Sequence, residues 1–178
     1  GSLAELLRRY ELPDDFLFMP NQFWKHKNHA VVIEALALLG ERGRSIVVAA
    51  SGNPADVRHL RHFDQLRERV RSHGLEAQFR FLGMLPYAEV LALMASCRAL
   101  INPSLFEGWS TTVEEAKALG VPMVLSDLAV HREQAGESAV YFAPSSAAST
   151  AEALLEAERR FGNGNLVERA SAAAVAAD

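Results

Sequence analysis

A chain of 178 residues, 49% hydrophobic and 22% charged with mean hydropathy near zero, can bury one sizeable core, which excludes the disordered and fibrous classes. Its formal charge of -4 gives no support to a nucleic-acid partner, and its single cysteine, Cys97, excludes a disulfide framework or a cysteine metal site. No apolar run approaches the roughly 20 residues that span a bilayer and no leader is read at the start, so a soluble chain in a reducing compartment is expected.

In chain order, Gly1-Ser2 reads as an expression scar, with the chain expected to be part of something longer. Short apolar runs then alternate with segments of helical spacing. Strands are predicted over Phe16 to Met19, Ser45 to Ala50, Gln78 to Leu82, Ala99 to Asn102, Pro122 to Leu125 and Ala139 to Tyr141. Helices are predicted over His29 to Glu41, Ala55 to Ser72, Tyr87 to Ser96, Thr112 to Leu119 and Ser146 to Phe161. Runs such as Ile46-Val47-Val48-Ala49-Ala50 are apolar at every position, as a strand covered on both faces requires. The expected fold class is α/β, a three-layer αβα sandwich on a mostly parallel six-stranded sheet. Ligands of such sheets bind beyond the carboxyl ends of the strands, which directs attention to residues 20 to 28, 51 to 54, 83 to 86, 103 to 111 and 126 to 131. Residues 162 to 178, opening Gly-Asn-Gly-Asn and turning alanine-rich, read as a C-terminal tail or helix.

The most informative segment runs from Pro103 to Pro122. Thr111 with Glu114 three residues on reads as a capping box, so a helix is expected to begin near Thr112 with the amides of Gly108, Trp109, Ser110, Thr111 and Thr112 unpaired. Free amides at a helix start form an anion site, and a diphosphate suits it. Two carboxylates flank this site, Glu107 in the preceding turn and Glu115 in the expected first turn. Carboxylates accept from hydroxyls, which a sugar diphosphate nucleotide carries at both ends. By residue type alone, Glu107 is equally a turn residue, Glu114 a cap and Glu115 a solvated helix position.

Seven residues separate Glu107 from Glu115, and Glu-Gly-Trp-Ser...Glu-Ala-Lys-Ala-Leu-Gly-Val-Pro-Met-Val resembles the E-x7-E signature of family 4 retaining glycosyltransferases, the group 1 class. The resemblance covers roughly residues 15 to 160. It implies a Rossmann-like half of a GT-B fold, with residues 3 to 161 as its nucleotide-sugar-binding C-terminal domain. It also implies that Glu107 meets the donor sugar and Glu115 the ribose. Gly108-Trp109-Ser110-Thr111 stands where the family has Gly-Phe-Gly-Leu, a departure that leaves the amide role but opens the sugar preference.

Met19 to His29 follows the first strand and is similar to the family's G-R-x-x-x-x-K loop. Lys27 falls on the phosphate-binding lysine, and Gln22 stands at the arginine position, so that either Lys25 or an arginine elsewhere compensates for the lost charge or Gln22 contacts sugar or phosphate by hydrogen bonds alone. Phe81-Leu82-Gly83-Met84-Leu85-Pro86 resembles the loop that holds the nucleotide base, giving Met84 and Leu85 as base-site candidates beside an ordinary strand-to-helix turn with Pro86 near the helix start. Gly52, in Ser51-Gly52-Asn53, is a further backbone candidate at the ribose and base end. His26 and His29 lack a neighbouring carboxylate or third ligand, so no metal is expected. Cys97 reads as core. The arginines from Arg58 to Arg71, interleaved with Asp64 and Glu68, read as a solvated helix face whose apolar positions include Val57 and Leu60.

Neither G-x-G-x-x-G nor G-x-x-x-x-G-K-[ST] occurs, which removes the main warrant for a dehydrogenase or a P-loop enzyme. The resemblance implies transfer of a sugar from a UDP- or GDP-sugar to an acceptor hydroxyl with retention. No other cofactor is expected, and Glu107 and Lys27 are the candidate catalytic residues. It further implies a glycan or glycolipid acceptor held by an N-terminal domain, a cytoplasmic location, and peripheral association of the full-length protein with the cytoplasmic membrane face. Two alternatives stay open: a non-catalytic GT-B-like module that binds a nucleotide or a partner, and a nucleotide-sugar epimerase.

Overall fold

The computed structural model describes residues 2 to 162; the reading of the tail as a helix lies outside them, apart from Gly162. Six parallel strands form one sheet in the order β3-β2-β1-β4-β5-β6. The strands are β1 (Leu17–Met19), β2 (Val48–Ser51), β3 (Phe79–Gly83), β4 (Leu100–Asn102), β5 (Met123–Ser126) and β6 (Ala139–Phe142). The helices are α1 (Leu3–Arg9), α2 (His29–Glu41), α3 (His62–Ser72), α4 (Tyr87–Ser96), α5 (Thr111–Ala118), α6 (Ala129–Ala135) and α7 (Ala147–Arg160).

Both faces of the sheet are covered, which is why its strands are apolar at successive positions. Leu17, Met19, Val48, Ala50, Ile101 and Val124 pack with Ile33 and Leu36 of α2, Leu66 of α3 and Leu154 of α7. The intervening residues Phe18, Ala49, Leu100 and Met123 face the other way, against Leu6 of α1, Leu93 of α4 and Val113 of α5. Cys97 is wholly buried in this second cluster. Strand order reverses between β1 and β4, where Phe18 pairs with Leu100. The helices that follow these two strands pack on opposite faces, so a crevice opens between their N-terminal ends at the carboxyl edge.

One predicted helix starts elsewhere, and two helices appear that were not predicted. Helix α3 starts at His62, seven residues later than Ala55. The Oδ1 atoms of Asn53 and Asp56 accept from the amides of Ala55 and Arg58, and these local turns compete with the helix. Val57 and Leu60 therefore lie outside its apolar face and are exposed. Helix α1, absent from the sequence reading, begins at the N-cap Ser2 in a capping box with Glu5. The short α6 was likewise unforeseen.

Candidate functional site

At the switch point, buried Asn21 reaches across to Asn102 at the end of β4, its Nδ2 3.5 Å from Oδ1. A 3-10 turn over Lys25–Lys27 leads into Asn28, which is left-handed at φ 63°. Asparagine tolerates that conformation, and its Nδ2 donates to the carbonyls of Pro103 (2.9 Å) and Pro144 (2.8 Å). The start of α2 is thus pinned to the loops after β4 and β6. The Leu105 amide donates to the His26 carbonyl at 2.8 Å, and the His26 ring stacks on Phe106 with centroids 4.4 Å apart. Together these contacts hold the β1 and β4 loops as one clasp.

The clasp brings together the two residues singled out for chemistry. Lys27 Nζ lies 2.7 Å from Glu107 Oε1, with 16% and 9% of the two side chains exposed. The Ser104 hydroxyl also lies 2.7 Å from that oxygen, and Asn102 Nδ2 lies 3.5 Å away. Burial alone would push the Glu107 carboxyl up, but the hydrogen bonds from Lys27 and Ser104 and the lysine charge hold it below the ordinary carboxylate range. At neutral pH it is an anion that can only accept hydrogen bonds.

The α5 N-terminus stands beside this pair, with a different cap from the one expected. Ser110 is the N-cap, its Oγ accepting from the Val113 amide at 3.3 Å. The helix therefore begins at Thr111, and Glu114 lies beyond the box position. Glu114 instead accepts from Gln134 Nε2 at 3.0 Å and pairs with Lys117. The Ser110 amide is not free either, since it donates to Gln134 Oε1 at 3.0 Å. Among the described residues, the amides of Gly108, Trp109, Thr111 and Thr112 have no protein acceptor. Four of the five expected donors remain for an anion.

Glu115 falls in the second turn of α5, not the first. Its Oε2 accepts from the phenol of Tyr87, the first residue of α4, in a short hydrogen bond. The loop before α4 carries Met84, which is exposed, and Leu85, which packs on the core. Gly52 and Gln22 lace the β1 and β2 loops. A Cβ at Gly52 would lie 2.5 Å from the Asn21 carbonyl oxygen, and its φ of 144° suits glycine. The Gln22 Oε1 accepts from the Asn53 amide at 2.8 Å, and the Gly52 amide donates to the Gly83 carbonyl at 2.9 Å. Gln22 thus braces the edge of the site with its amide oxygen. Of the two histidines, His29 is buried against Phe23 with ring centroids 4.3 Å apart, and burial lowers its pKa to about 3.

Beneath the site runs a polar network that sequence reasoning missed. Asn102 Oδ1 accepts from the Ser104 amide at 3.1 Å and its Nδ2 donates to Ser110 Oγ at 3.2 Å. Ser126 Oγ donates to the Ser104 carbonyl at 2.7 Å. His131 is fully buried, with Nδ1 2.8 Å from the Ser126 carbonyl, which assigns the ring proton to Nδ1. Burial keeps this imidazole below its ordinary pKa and neutral. The signal available for Asn102 and Ser126 was a lone polar residue closing an apolar strand; α6, which carries His131 and Gln134, offered none. No group of three His, Cys, Asp or Glu placed to hold a metal occurs among the described residues, and no helix among them is long and apolar enough to cross a membrane. A surface groove lies along β3, between Tyr10, Phe63, Arg67 and Arg80. It runs beside an edge strand, away from the strand ends where Lys27, Glu107 and the free amides converge.

Residues 8–175 match the family model described as glycosyl transferases group 1. The putative glycosyltransferase EpsF of Bacillus subtilis is 31% identical over 116 residues, 65% of this chain and 28% of the relative. A glycosyltransferase from Rickettsia africae superposes with a TM-score of 0.80 at 19% identity, covering 96% of this chain and 45% of that one. Anabaena Alr3699/HepE, solved in complex with UDP, superposes at 0.71 and 19% identity, covering 98% and 52%. The chain therefore spans about half or less of the length of these proteins, and the shared fold is one half of the GT-B arrangement. By its family match, its sheet order and the paired glutamates at its switch point, the chain belongs to the group 1 glycosyltransferases.

Proposed function

We propose that this chain binds the nucleoside-diphosphate sugar donor of a retaining glycosyltransferase, with the diphosphate between Lys27 and the α5 N-terminus, the sugar at Glu107 and the ribose at Glu115. The observation that carries this reading is the Lys27–Glu107 pair beside four unpaired amides in the turn and first residues of α5. Glu107, held ionised, repels phosphate and accepts from hydroxyls, so it selects the sugar end. Lys27 and the amides of Gly108, Trp109, Thr111 and Thr112 supply fixed positive potential where charge develops on the leaving diphosphate, which is electrostatic stabilisation of the departing group. This cluster does the work that a divalent cation does elsewhere. That the Anabaena protein was solved with UDP supports a nucleotide as the ligand.

In the full-length protein the sugar passes to an acceptor hydroxyl of a glycan or glycolipid held by a further domain. Family membership favours transfer over the epimerase and the non-catalytic module. Calorimetric titration of the chain with UDP, GDP and their sugars tests the donor reading: micromolar to millimolar binding of one nucleotide series is expected, and folded protein that binds none refutes it. Product analysis with the full-length protein and an acceptor tests transfer.

A further inference from the structure

Glu115 is one of two site carboxylates, and the two are held differently. Lys27 and Ser104 fix Glu107. Glu115 has one described partner, the Tyr87 phenol, which donates to Oε2. Its Oε1 has no partner among the described residues. Tyr87 is 63% exposed, so apolar burial does not explain why its ring lies across to α5. The bond to the carboxylate does. Its backbone is also fixed: Tyr87 directly follows Pro86, the N-cap residue of α4, whose carbonyl accepts from the Glu89 and Val90 amides. A proline there sets the entry angle of the chain, and Gly83 at φ 75° turns the loop just before it.

A glutamate on a helix surface has several rotamers, and ordering it on ligand binding costs entropy that a standing hydrogen bond removes beforehand. A carboxylate has about four acceptor sites, so one donor on Oε2 leaves Oε1 available. The bond to Glu115 raises the phenol above its usual pKa, so it remains a donor throughout the neutral range.

We infer that Tyr87 is a nucleotide-positioning residue, whose phenol holds Glu115 through one oxygen so that the other accepts from the ribose hydroxyls of a nucleoside diphosphate. This rests on the proposed role of Glu115 at the ribose. It predicts that discrimination for ribose depends on a residue outside α5.

The test measures UDP and GDP, each against its 2′,3′-dideoxy counterpart, on the wild-type chain and on Tyr87→Phe. The wild type is expected to prefer the ribonucleotide of the series it binds by about tenfold, the scale of one hydrogen bond to a charged group. Tyr87→Phe should lose most of that preference while dideoxynucleotide affinity stays within about twofold. Because the residue is exposed, the variant should fold, and its melting curve confirms it. An unchanged preference in Tyr87→Phe overturns the inference. So does tighter ribonucleotide binding, which would mean the phenol occupies the ribose position. A wild type that binds both forms equally overturns it together with the ribose role of Glu115 while leaving nucleotide binding itself intact, whereas a folded wild type that binds neither nucleotide removes the whole donor reading.

Discussion

Replacing Lys27 with methionine leaves the Glu107 carboxylate nearly buried with its cation gone. Breaking a fully buried ion pair from one side costs about 3–5 kcal/mol. Here 16% and 9% of the two side chains remain exposed and the Ser104 hydroxyl stays within reach, which brings the expected loss to about 2–3 kcal/mol. For a chain of this length that is a fall in melting temperature of about 4–12 °C. The loss should depend on pH in a defined direction. In the native protein the Glu107 carboxyl is depressed, so its contribution is present above the unfolded value and is lost as pH falls through the folded one. Without Lys27 the burial that opposes ionisation dominates, and the variant takes up its proton at higher pH. The stability gap between the two proteins is therefore full near pH 7 and closes as pH falls through the carboxylate range. Urea denaturation at neutral pH and near pH 4 measures it, and Lys27→Met with Glu107→Gln should recover most of the loss. A gap that does not change with pH, or no gap at all, would refute the reasoning.

Gly52→Ala should cost about 1–3 kcal/mol by denaturation, because its Cβ would press on the Asn21 carbonyl and its φ of 144° is strained for alanine; since the β1 loop would shift, nucleotide affinity should fall as well. His29, buried and held neutral with a pKa of about 3, contributes stability above its unfolded value near 6.5 that is lost as pH falls toward 3. His29→Leu should flatten that part of the stability profile, and an unchanged slope would assign the acid sensitivity to other groups.

The sequence carried the architecture where hydrophobic period and punctuation agree. Helices α2 and α4 span the predicted residues, and all six strands appear within three residues at either end of their predicted bounds. It failed where short side chains outbid the period. Asn53 and Asp56 turn the chain locally and delay α3, and Ser110 takes the cap that the spacing of Thr111 and Glu114 suggested. Helix α6 has seven residues, too few for its period to show. Within the site, Glu107, Lys27 and most of the α5 amides were legible because a family resemblance adds to their chemistry. Their supports were not: Asn102, Ser104, Ser126, His131 and Gln134 come from three separate segments, and only the parallel sheet sets them under one crevice. Tyr87 was read as the start of a helix, and its link to Glu115 exists only across the gap between α4 and α5.

The division of labour between the two glutamates is tested most directly by calorimetry of Glu107→Ala and Glu115→Ala with a free nucleotide and with its nucleotide sugar. Glu115→Ala should weaken both ligands alike, by about tenfold, because the ribose is common to them. Glu107→Ala should spare the free nucleotide and weaken the nucleotide sugar. Equal losses for both ligands in Glu107→Ala, or undiminished affinity in Glu115→Ala, would contradict a site in which one carboxylate holds the sugar and the other the ribose.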